Sequence, residues 1–471
     1  MSIMIYNSLS RQKEEFVPLQ EGRVHMYVCG PTVYDYPHMG HAKSYITFDI
    51  VVRYFRYLGY KVRYVQNITD VGHMLDSGED RILKGAARER IEPMELVEKY
   101  TRAYFEAMDN LNVVRPDISP RASGHIPEQI EMAQKLLAAG YAYEVNGSVY
   151  FDVSKWSEYG KLSGRKVEEQ MAGARLGIIE EKRHPADFAL WKKAAPEHVM
   201  QWNSPWGKGY PGWHLECSAM SMKYLGETFD IHGGGMENQF PHHECEIAQS
   251  EAANKKPFVR YWMHNNMVLV DGVKMSKSLG NFTTIAEALK KFNNDQIRFF
   301  VLQSHYRSPV DFSDQALAAA GQGLEKLKNT LQSLTEKGAE TPTAEDEGLR
   351  QVAEDHKKLF LQEMDDDFNT PAAIGRLFDF SREINRHLSE GRFSATAGRI
   401  FSDLYDTILG LGAPQQQETI AAAPFIDLLV ELRSDLRKNK EWALADKLRN
   451  DMAGLGIQIE DGKTGASWKK M

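Results

Sequence analysis

The feature that most constrains this 471-residue chain is one change in the spacing of its apolar residues near the N-terminus. Val24–Val28 is rich in valine and tyrosine, which favours a short strand ending at Cys29. From Ala42 the apolar residues recur every three or four positions, which predicts a helix that ends before Gly59. Lys61–Val65 is a second strand-like run. The stretch therefore predicts a strand–loop–helix–strand unit of an α/β fold.

The loop inside this unit carries two histidines. In open α/β sheets such loops lie at the carboxyl ends of the strands, where ligands bind. His38 and His41 fall at the predicted helix start, where unpaired N–H groups and the helix dipole favour an anion such as phosphate. Gly40 allows the backbone to approach a ligand closely. The alternative is that the two histidines merely cap the helix.

Composition places the chain among ordinary globular proteins, with 42% hydrophobic and 26% charged residues. The net charge of −8 predicts no overall attraction to nucleic acid, so such a partner would need a local basic face. The polar N-terminus and the lack of a long apolar run predict no secretory signal, no membrane partner and a cytoplasmic location. Three cysteines are too few for a disulfide framework, which leaves buried thiols or metal ligands.

Three later stretches extend the same sheet edge. Thr69 follows the second strand, and Asp70 beside it is as well explained by a helix cap. Phe229–Gly235 predicts a strand ending in three glycines, whose entropic cost indicates that something approaches that backbone closely. Lys274–Ser278 places two lysines on a short loop, where they could reach phosphates, although this stretch taken alone favours a solvated loop.

A second cluster, in Phe240–Glu246, suggests a metal site on a helix predicted from Phe240 to Ala252. His242 and Glu246 are four residues apart and share a helical face, whereas four beyond His243 is an isoleucine. Cys29 and Cys217 would complete a set of two thiolates, one imidazole and one carboxylate, which favours zinc. Cys245 could replace Glu246 in a closed structural site, and three unrelated buried cysteines are the remaining alternative.

The rest of the chain is predicted to be largely helical. Asp314–Thr335 predicts a helix capped by Ser313, and residues 336–348 and 412–423 predict linkers on either side of a helical region. The acidic run Asp365–Asp367 precedes a helix start, so we expect a solvated cap rather than a metal site. Asn146 and Gly147 predict the turn of a hairpin across residues 140–153.

Several of these motifs together resemble the cysteinyl-tRNA synthetases, a family of class I aminoacyl-tRNA synthetases, along essentially the whole chain. The motifs are Cys29–Asp35, His38–His41, Gly212–Cys217, His232–Gly235, Pro241–Glu244, Lys274–Ser278 and Met364–Thr370. The resemblance implies a Rossmann-type nucleotide-binding catalytic domain split by an insertion, then an all-helical domain and a small mixed α/β domain. The implied domains are 1–120 and 211–300 for the catalytic halves, 121–210 for the insertion, 301–336 for a stem-contact helical region, 349–411 for a helical tRNA-binding domain, and 424–471 for an anticodon-binding domain.

The resemblance also implies an activity. Such an enzyme joins ATP to L-cysteine, releases pyrophosphate, and passes the cysteinyl group to the terminal adenosine of tRNA(Cys). His38 and His41 would stabilise charge on the phosphates, and Lys274 and Lys277 would close over the departing pyrophosphate. The implied ATP-binding residues are Gly40, His41, Gly233, Gly234, Glu237, Lys274 and Lys277, with Mg²⁺ accompanying ATP. Glu237 stands where the family commonly has an aspartate that contacts the ribose.

For the amino acid, the resemblance implies one zinc ion per chain, held by Cys29, Cys217, His242 and Glu246. The zinc would bind the thiolate of the substrate directly, and serine cannot supply that bond. Thr69, Trp213 and His232 would line the cysteine pocket. Cys245 would add a further thiol close to the metal. The chain would act as a monomer.

Two other functions remain open at this point. One is a ligase that activates cysteine but passes it to an amino sugar, and residues 349–471 argue against it because that relative lacks an anticodon-reading C-terminus. The other is a non-catalytic RNA-binding paralogue, which could dispense with both histidines and both lysines of the signatures, although all four are present here.

Overall fold

The computed structural model describes residues 2–72, 80–165, 181–196, 198–275, 279–341, 344–412, 422–455, 457–462 and 465–470. The chain forms two units, Met1–Ala413 and Pro414–Met471. Within the described ranges, no helix is both long enough and apolar enough to cross a lipid bilayer. Lys277 and most of the predicted 412–423 linker lie outside the described residues.

The strands of the first unit form one parallel sheet and several smaller sheets. They are β1 (Met4–Asn7), β2 (Gln12–Glu15), β3 (Arg23–Val28), β4 (Lys61–Gln66), β5 (Ala142–Val145), β6 (Ser148–Phe151), β7 (Phe188–Lys193), β8 (Trp202–Ser204), β9 (Gly207–Pro211), β10 (Phe229–Gly235), β11 (Val259–Asn265), β12 (Val268–Val270), β13 (Val273–Lys274) and β14 (Val310–Asp311).

The helices of the first unit connect and cover these sheets. They are α1 (Met39–Tyr57), α2 (Arg81–Glu89), α3 (Pro93–Asn110), α4 (Ile126–Ala138), α5 (Trp213–Leu225), α6 (Glu244–Asn254), α7 (Ile285–Leu289), α8 (Asn294–Leu302), α9 (Asp314–Glu340), α10 (Glu347–Asp365), α11 (Thr370–Ser389) and α12 (Ala395–Ser402). The second unit pairs two helices with a hairpin: α13 (Ala422–Lys438), α14 (Trp442–Gly454), β15 (Ile457–Gly462) and β16 (Gly465–Lys470).

The parallel sheet has the strand order β11-β10-β3-β4. The chain leaves β3 in one direction, through α1 to β4, and leaves β10 in the other, through α6 to β11. The point between β3 and β10 is therefore a topological switch point, where open α/β sheets bind ligands. The predicted strand–loop–helix–strand unit is confirmed. In β3 every residue from Val24 onwards but one is buried, and Gly59, which follows α1, has a φ of +88°.

A second, five-stranded antiparallel sheet lies in the sequence between the two halves of the parallel sheet, in the order β5-β6-β7-β9-β8. The predicted hairpin is confirmed: Asn146 and Gly147 form its turn with φ of +51° and +83°, values that match a type I′ turn. This sheet, α4 and α6 enclose an apolar core separate from the main one. The fold is the α/β arrangement with an intervening segment that the sequence predicts.

Three sequence predictions are wrong in part. The helix predicted from Phe240 begins at Glu244, because Phe240 has extended torsions and residues 239–243 form a wider turn. The predicted linker from residue 336 is helical as far as Glu340, since α9 continues to bury Leu334 and extends one turn beyond it.

The third correction concerns the acidic run before α11. Asp367 is fully buried instead of forming a solvated cap. Its carboxylate accepts hydrogen bonds from the Tyr6 backbone at 2.9 Å, the Tyr306 hydroxyl at 2.6 Å and Arg307 Nε at 2.7 Å. These partners come from distant parts of the chain, so local sequence could not predict the burial. The predicted cap by Asn369 is confirmed, since its side chain accepts from Ala372 N.

Candidate active site

A cavity of about 820 Å³ opens at the switch point between β3 and β10. Most of the site residues expected from the sequence line it: Cys29, His38, Gly40, His41, Thr69, Trp213, Cys217, Glu237, His242 and Lys274. His232, Gly233, Gly234 and Glu246 lie behind this lining, and Lys277 lies outside the described residues. One cavity therefore collects residues from both signature motifs and from the predicted metal cluster.

The start of α1 presents two histidines to this cavity. His38 is the N-cap, and its Nδ1 accepts from the Gly40 N–H at 3.1 Å, while Nδ1 of His41 accepts from the His38 N–H at 3.2 Å. A neutral imidazole that accepts at Nδ1 carries its proton at Nε2. Both rings therefore offer an Nε2–H donor, next to a helix N-terminus that favours anions. The capping role and the anion-binding role, which the sequence treats as alternatives, are compatible.

Lys274 approaches the same helix start from β13. A bridge between His38 and Thr284 joins the loop before α1 to the segment before α7, and Met39 N donates to Thr283 O at 3.2 Å. Met275 follows Lys274, and its methyl carbon lies 3.8 Å from the position of a Cβ on Gly40. The segment that follows the second signature is thus bonded to the start of α1, and Met275 of that signature lies beside Gly40.

The second group of residues brings Cys29, Cys217, His242 and Glu246 together. The two sulfur atoms are 3.8 Å apart, and His242 Nε2 lies 3.4 Å from the Cys217 Sγ and 3.0 Å from a Glu246 oxygen. Their four ligand atoms all lie within 4.8 Å of one another, and all four residues are buried. Two sulfurs, one nitrogen and one oxygen at this spacing are a donor set that fits zinc.

A second donor set overlaps the first. Cys29, His232, His243 and Glu246 also place their ligand atoms within 4.8 Å of one another. His243 Nε2 lies 3.2 Å from the Cys29 Sγ, a contact that the sequence reasoning missed because it assumed a regular helix through residue 243. Only the first set includes three residues that line the cavity.

Charges within the cluster favour the metal-binding form of two of its members, Glu246 and Cys217. In contrast, burial raises the pKa of Cys29 well above its usual value, and against burial Glu246 with Cys217 raises the pKa of His242 to about 10. Burial opposes ionisation of Glu246, but His232 and His242 outweigh it and lower the pKa of this carboxyl to about 2. Burial also disfavours the Cys217 thiolate, yet the hydrogen bond from Cys29 and the neighbouring His242 lower its pKa to about 6. A carboxylate and a thiolate are the forms that bind a metal ion.

Neighbouring residues orient the cluster. His232 Nε2 lies 2.9 Å from the Glu246 oxygen that faces away from His242, and Trp213 stacks on His242 with ring centroids 4.2 Å apart. His214 Nδ1 lies 3.0 Å from His242 Nδ1. Such partners fix the orientation of metal-binding side chains. His232 therefore contacts the cluster through Glu246, and both residues lie behind the cavity lining.

A polar chain continues from the cluster to the end of β4. Asn67 accepts from Gly30 N at 2.8 Å and donates to the Thr69 hydroxyl at 3.0 Å, which in turn donates to Glu216 at 2.9 Å. Burial, together with the nearby Cys217, raises the pKa of Glu216 well above its usual value. The Asp70 carboxylate instead accepts hydrogen bonds from the backbone N–H and the hydroxyl of Ser123. Glu216 gave no signal in the sequence.

The three glycines at the end of β10 are approached mainly by protein side chains. A Cβ on Gly233 would overlap the Phe48 ring, and one on Gly234 would lie 2.7 Å from the His243 ring. One on Gly235 would lie 2.7 Å from the Glu237 carboxylate, which lines the cavity. Close approach to this backbone is thus made by protein side chains, and only Gly235 itself lines the cavity.

Cys245 does not join the metal cluster. Its side chain packs in the separate apolar core near the Tyr159 hydroxyl, with an Sγ–Oη distance of 3.3 Å. Burial raises the pKa of this thiol, so it stays protonated. The expectation of a further thiol close to the metal is therefore not supported by the geometry.

Comparison with known proteins gives matches along the whole chain. The family model described as "tRNA synthetases class I (C) catalytic domain" matches residues 15–322, and the DALR domain matches residues 359–413. Proteins named Cysteine--tRNA ligase are 53% identical in Chlorobaculum tepidum, 54% in Chlorobium luteolum and 48% in Thermus thermophilus. Each of these matches covers 100% of this chain and 99% of the relative.

Among solved structures, a Mycobacterium tuberculosis methionyl-tRNA synthetase in complex with methionyl-adenylate has a similar fold. Its TM-score is 0.64 at 16% identity, and the match covers 87% of this chain and 94% of the other. At this identity the likeness concerns the fold alone.

Proposed function

This chain belongs to the cysteine–tRNA ligase family of class I tRNA synthetases, and we propose that it attaches L-cysteine to tRNA(Cys) at the expense of ATP. In the first step a carboxylate oxygen of cysteine attacks the α-phosphorus of ATP, which gives cysteinyl-adenylate and pyrophosphate. In the second step a hydroxyl of the terminal adenosine attacks the cysteinyl carbonyl, and AMP leaves. The observation that carries the proposal is one cavity that joins phosphate-binding donors to a thiol-selecting cluster.

The phosphate side of the reaction uses the start of α1. The Nε2–H groups of His38 and His41 are placed to bind phosphate oxygens as negative charge builds up on them, which accelerates the reaction when binding is tightest in the transition state. Lys274 and Lys277 would neutralise the pyrophosphate that departs. Mg²⁺ would accompany ATP on its phosphates. Gly40, Gly233, Gly234 and Glu237 would shape the nucleotide site, with Glu237 on the ribose.

The amino-acid side of the reaction uses the metal cluster. We propose one zinc ion per chain on Cys29, Cys217, His242 and Glu246, since this set contains two thiolates and faces the cavity. A zinc ion there would bind the thiolate of the substrate, a bond that serine cannot supply. Trp213 and Thr69 would border the cysteine.

The roles of the remaining residues follow from their contacts. His232 would act on the cysteine pocket as a positioning residue, because it touches Glu246 and does not line the cavity. We also propose that the chain acts as a monomer. The product is used in translation, and we therefore propose a cytoplasmic location.

The test is ATP–pyrophosphate exchange on protein of known zinc content, first with cysteine and then with serine. We expect exchange with cysteine only, and we expect Cys217→Ser to lose both the zinc and the exchange. Equal exchange with serine would remove the metal from substrate selection while leaving an activating enzyme.

The transfer step separates the proposed enzyme from its alternatives. Cysteinylation of a tRNA(Cys) transcript is expected, without transfer to an amino sugar. If zinc-loaded protein gave no exchange with any amino acid, the synthetase proposal would fail and an RNA-binding role would replace it.

A further inference from the structure

Helix α2 carries a basic stripe that leads away from the cavity. Arg81, Lys84 and Arg88 are three and four residues apart, so they share one face of the helix over a length of about 10 Å. Lys84 and Arg88 are exposed to solvent, while Arg81 at the helix start is partly buried and lines the cavity. In a chain with a net charge of −8, such a stripe is a local exception.

Among the described residues, the guanidinium of Arg81 is held by Tyr34. Its Nη1 donates to the Tyr34 hydroxyl at 2.8 Å, and its central carbon lies 5.2 Å from the centre of the Tyr34 ring. Its Nε is buried and has no hydrogen-bond partner among the described residues. A planar guanidinium positioned in this way is suited to bind an anion with its remaining donors.

The stripe lies on the opposite side of the sheet from the second signature. Helix α2 follows β4, which is one edge of the parallel sheet, whereas Lys274 follows β11, which is the other edge. Arg88 Nη1 lies 3.2 Å from an Asp35 oxygen and its Nη2 donates to Tyr34 O, so α2 also supports the loop between Cys29 and His38. Arg81 and Lys274 therefore line the same cavity from elements that follow opposite edges of the sheet.

We propose that Arg81, with Lys84 one turn beyond it, binds the phosphates of the single-stranded 3′ end of the tRNA as it enters the cavity, whereas Arg88 is held by Asp35 and Glu89. This inference rests on the proposed function, which requires that end to reach the adenylate. A row of cations at helical spacing suits consecutive phosphates of a strand, which contribute affinity without sequence selection. ATP and cysteine do not extend along an exposed helix face.

The experiment compares Arg81→Met with the unaltered protein, both zinc-loaded and matched in thermal unfolding temperature. We expect cysteine-dependent ATP–pyrophosphate exchange to change less than twofold, and kcat/KM for a tRNA(Cys) transcript to fall by about tenfold or more. The slope of log kcat/KM for tRNA against log salt should become shallower by about 0.7 for each phosphate that the variant no longer neutralises. Arg81→Lys should recover part of the activity.

Two further variants separate binding from support of the loop. Arg102→Gln removes an exposed charge on α3 that pairs with Glu98 and does not line the cavity, and it should leave the salt slope unchanged. Tyr34→Phe removes the hydroxyl that holds Arg81 but keeps the charge, so its effect on kcat/KM for tRNA should be smaller than that of Arg81→Met.

The inference is overturned in either of two ways. Arg81 supports the loop if Tyr34→Phe reproduces the full effect, or if the salt slope of Arg81→Met is unaltered. It binds the cysteine carboxylate if the KM for cysteine in exchange rises tenfold. Neither result affects the proposed function, which fails only if unaltered protein does not perform exchange.

Discussion

Replacing Arg298 with methionine should be among the most destabilising single changes in the first unit. The side chain is fully buried and pairs with Asp49 in the middle of α1. Its Nε donates to Leu409 O at 2.6 Å, and its Nη1 donates to Leu111 O at 3.3 Å and to Asn112 O at 3.2 Å. One guanidinium thus joins the helix that carries the first signature to α8, to the end of α3 and to the segment after α12.

The cost of the substitution can be built from these contacts. Removing one partner of a buried ion pair costs about 3–5 kcal/mol, because the other charge stays buried. Asp49 keeps Arg53 Nε at 2.8 Å and Val114 N at 2.7 Å, which favours the lower end of that range. The carbonyl oxygens that no longer accept from Arg298 add roughly 1–3 kcal/mol for each one left unsatisfied. Asn112 O keeps its hydrogen bond from Arg53 Nη2 at 2.7 Å, so two carbonyl oxygens are left unsatisfied. With the lower end of each range, we expect the free energy of unfolding to fall by about 5 kcal/mol in total for Arg298→Met.

Two variants of the same network calibrate this value. Asp49→Asn removes the carboxylate charge but keeps the hydrogen bonds from Arg298 to the carbonyl oxygens. It should lower the free energy of unfolding by about 3 kcal/mol. Arg53→Met removes a partly exposed partner and should cost about 1 kcal/mol or less.

The assay is equilibrium unfolding in urea, followed by far-ultraviolet circular dichroism, with midpoint and slope both fitted. The predicted order of destabilisation is Arg298, then Asp49, then Arg53. If Arg298→Met and Arg53→Met differed by less than about 0.5 kcal/mol, the argument from the buried charge would be refuted.

Three further predictions concern the cluster, a buried lysine and the glycine turn. Cys217→Ser should weaken zinc binding more than about 100-fold in competition with a chelator, whereas His243→Gln should cost at most about tenfold; the reverse order would move the metal to the second donor set. Lys43 is buried with its Nζ near two carbonyl oxygens, and burial lowers its pKa to about 8, below its value in the unfolded chain. Above that pH the unfolded chain therefore binds more protons than the folded chain, so the free energy of unfolding rises with pH. Between about pH 7 and 9 the free energy of unfolding should therefore rise by roughly 1 kcal/mol more in the unaltered protein than in Lys43→Met, and equal slopes would contradict this. Gly233→Ala should lower the free energy of unfolding by about 1–3 kcal/mol, and adding Phe48→Leu should restore part of it; no recovery would show that the Phe48 ring is not the obstacle.

The parts of the fold that follow from local patterns could be predicted. The change of period after Cys29 indicated β3, α1 and β4 with bounds within a few residues, because strand and helix spacings differ sharply. Helical spacing also paired His242 with Glu246, whose side chains are 3.0 Å apart. Both inferences depend only on neighbours in the sequence.

What could not be predicted depends on contacts between distant segments. Phe48 lies against Gly233 because β10 packs next to α1. The sequence therefore indicated that some group approaches this glycine closely, but it did not indicate which group. His243 was discounted because the spacing rule holds for a regular helix, and Phe240 has φ of −142° and ψ of 132°. Arg81 had no motif to mark it, since its position at the cavity comes from the packing of α2 on the loop before α1.

The cysteine and acid side chains of the metal cluster are far apart in the order of synthesis. Cys29 meets Cys217 and Glu246, which lie 188 and 217 residues further along the chain. At about 5–20 residues per second, translation takes roughly 10–40 s to get from the first of these to the last. During that interval the Cys29 thiol emerges without the partners that later bury it. A reducing environment therefore protects this thiol during synthesis as well as in the finished fold, where Cys29 and Cys217 both line the cavity.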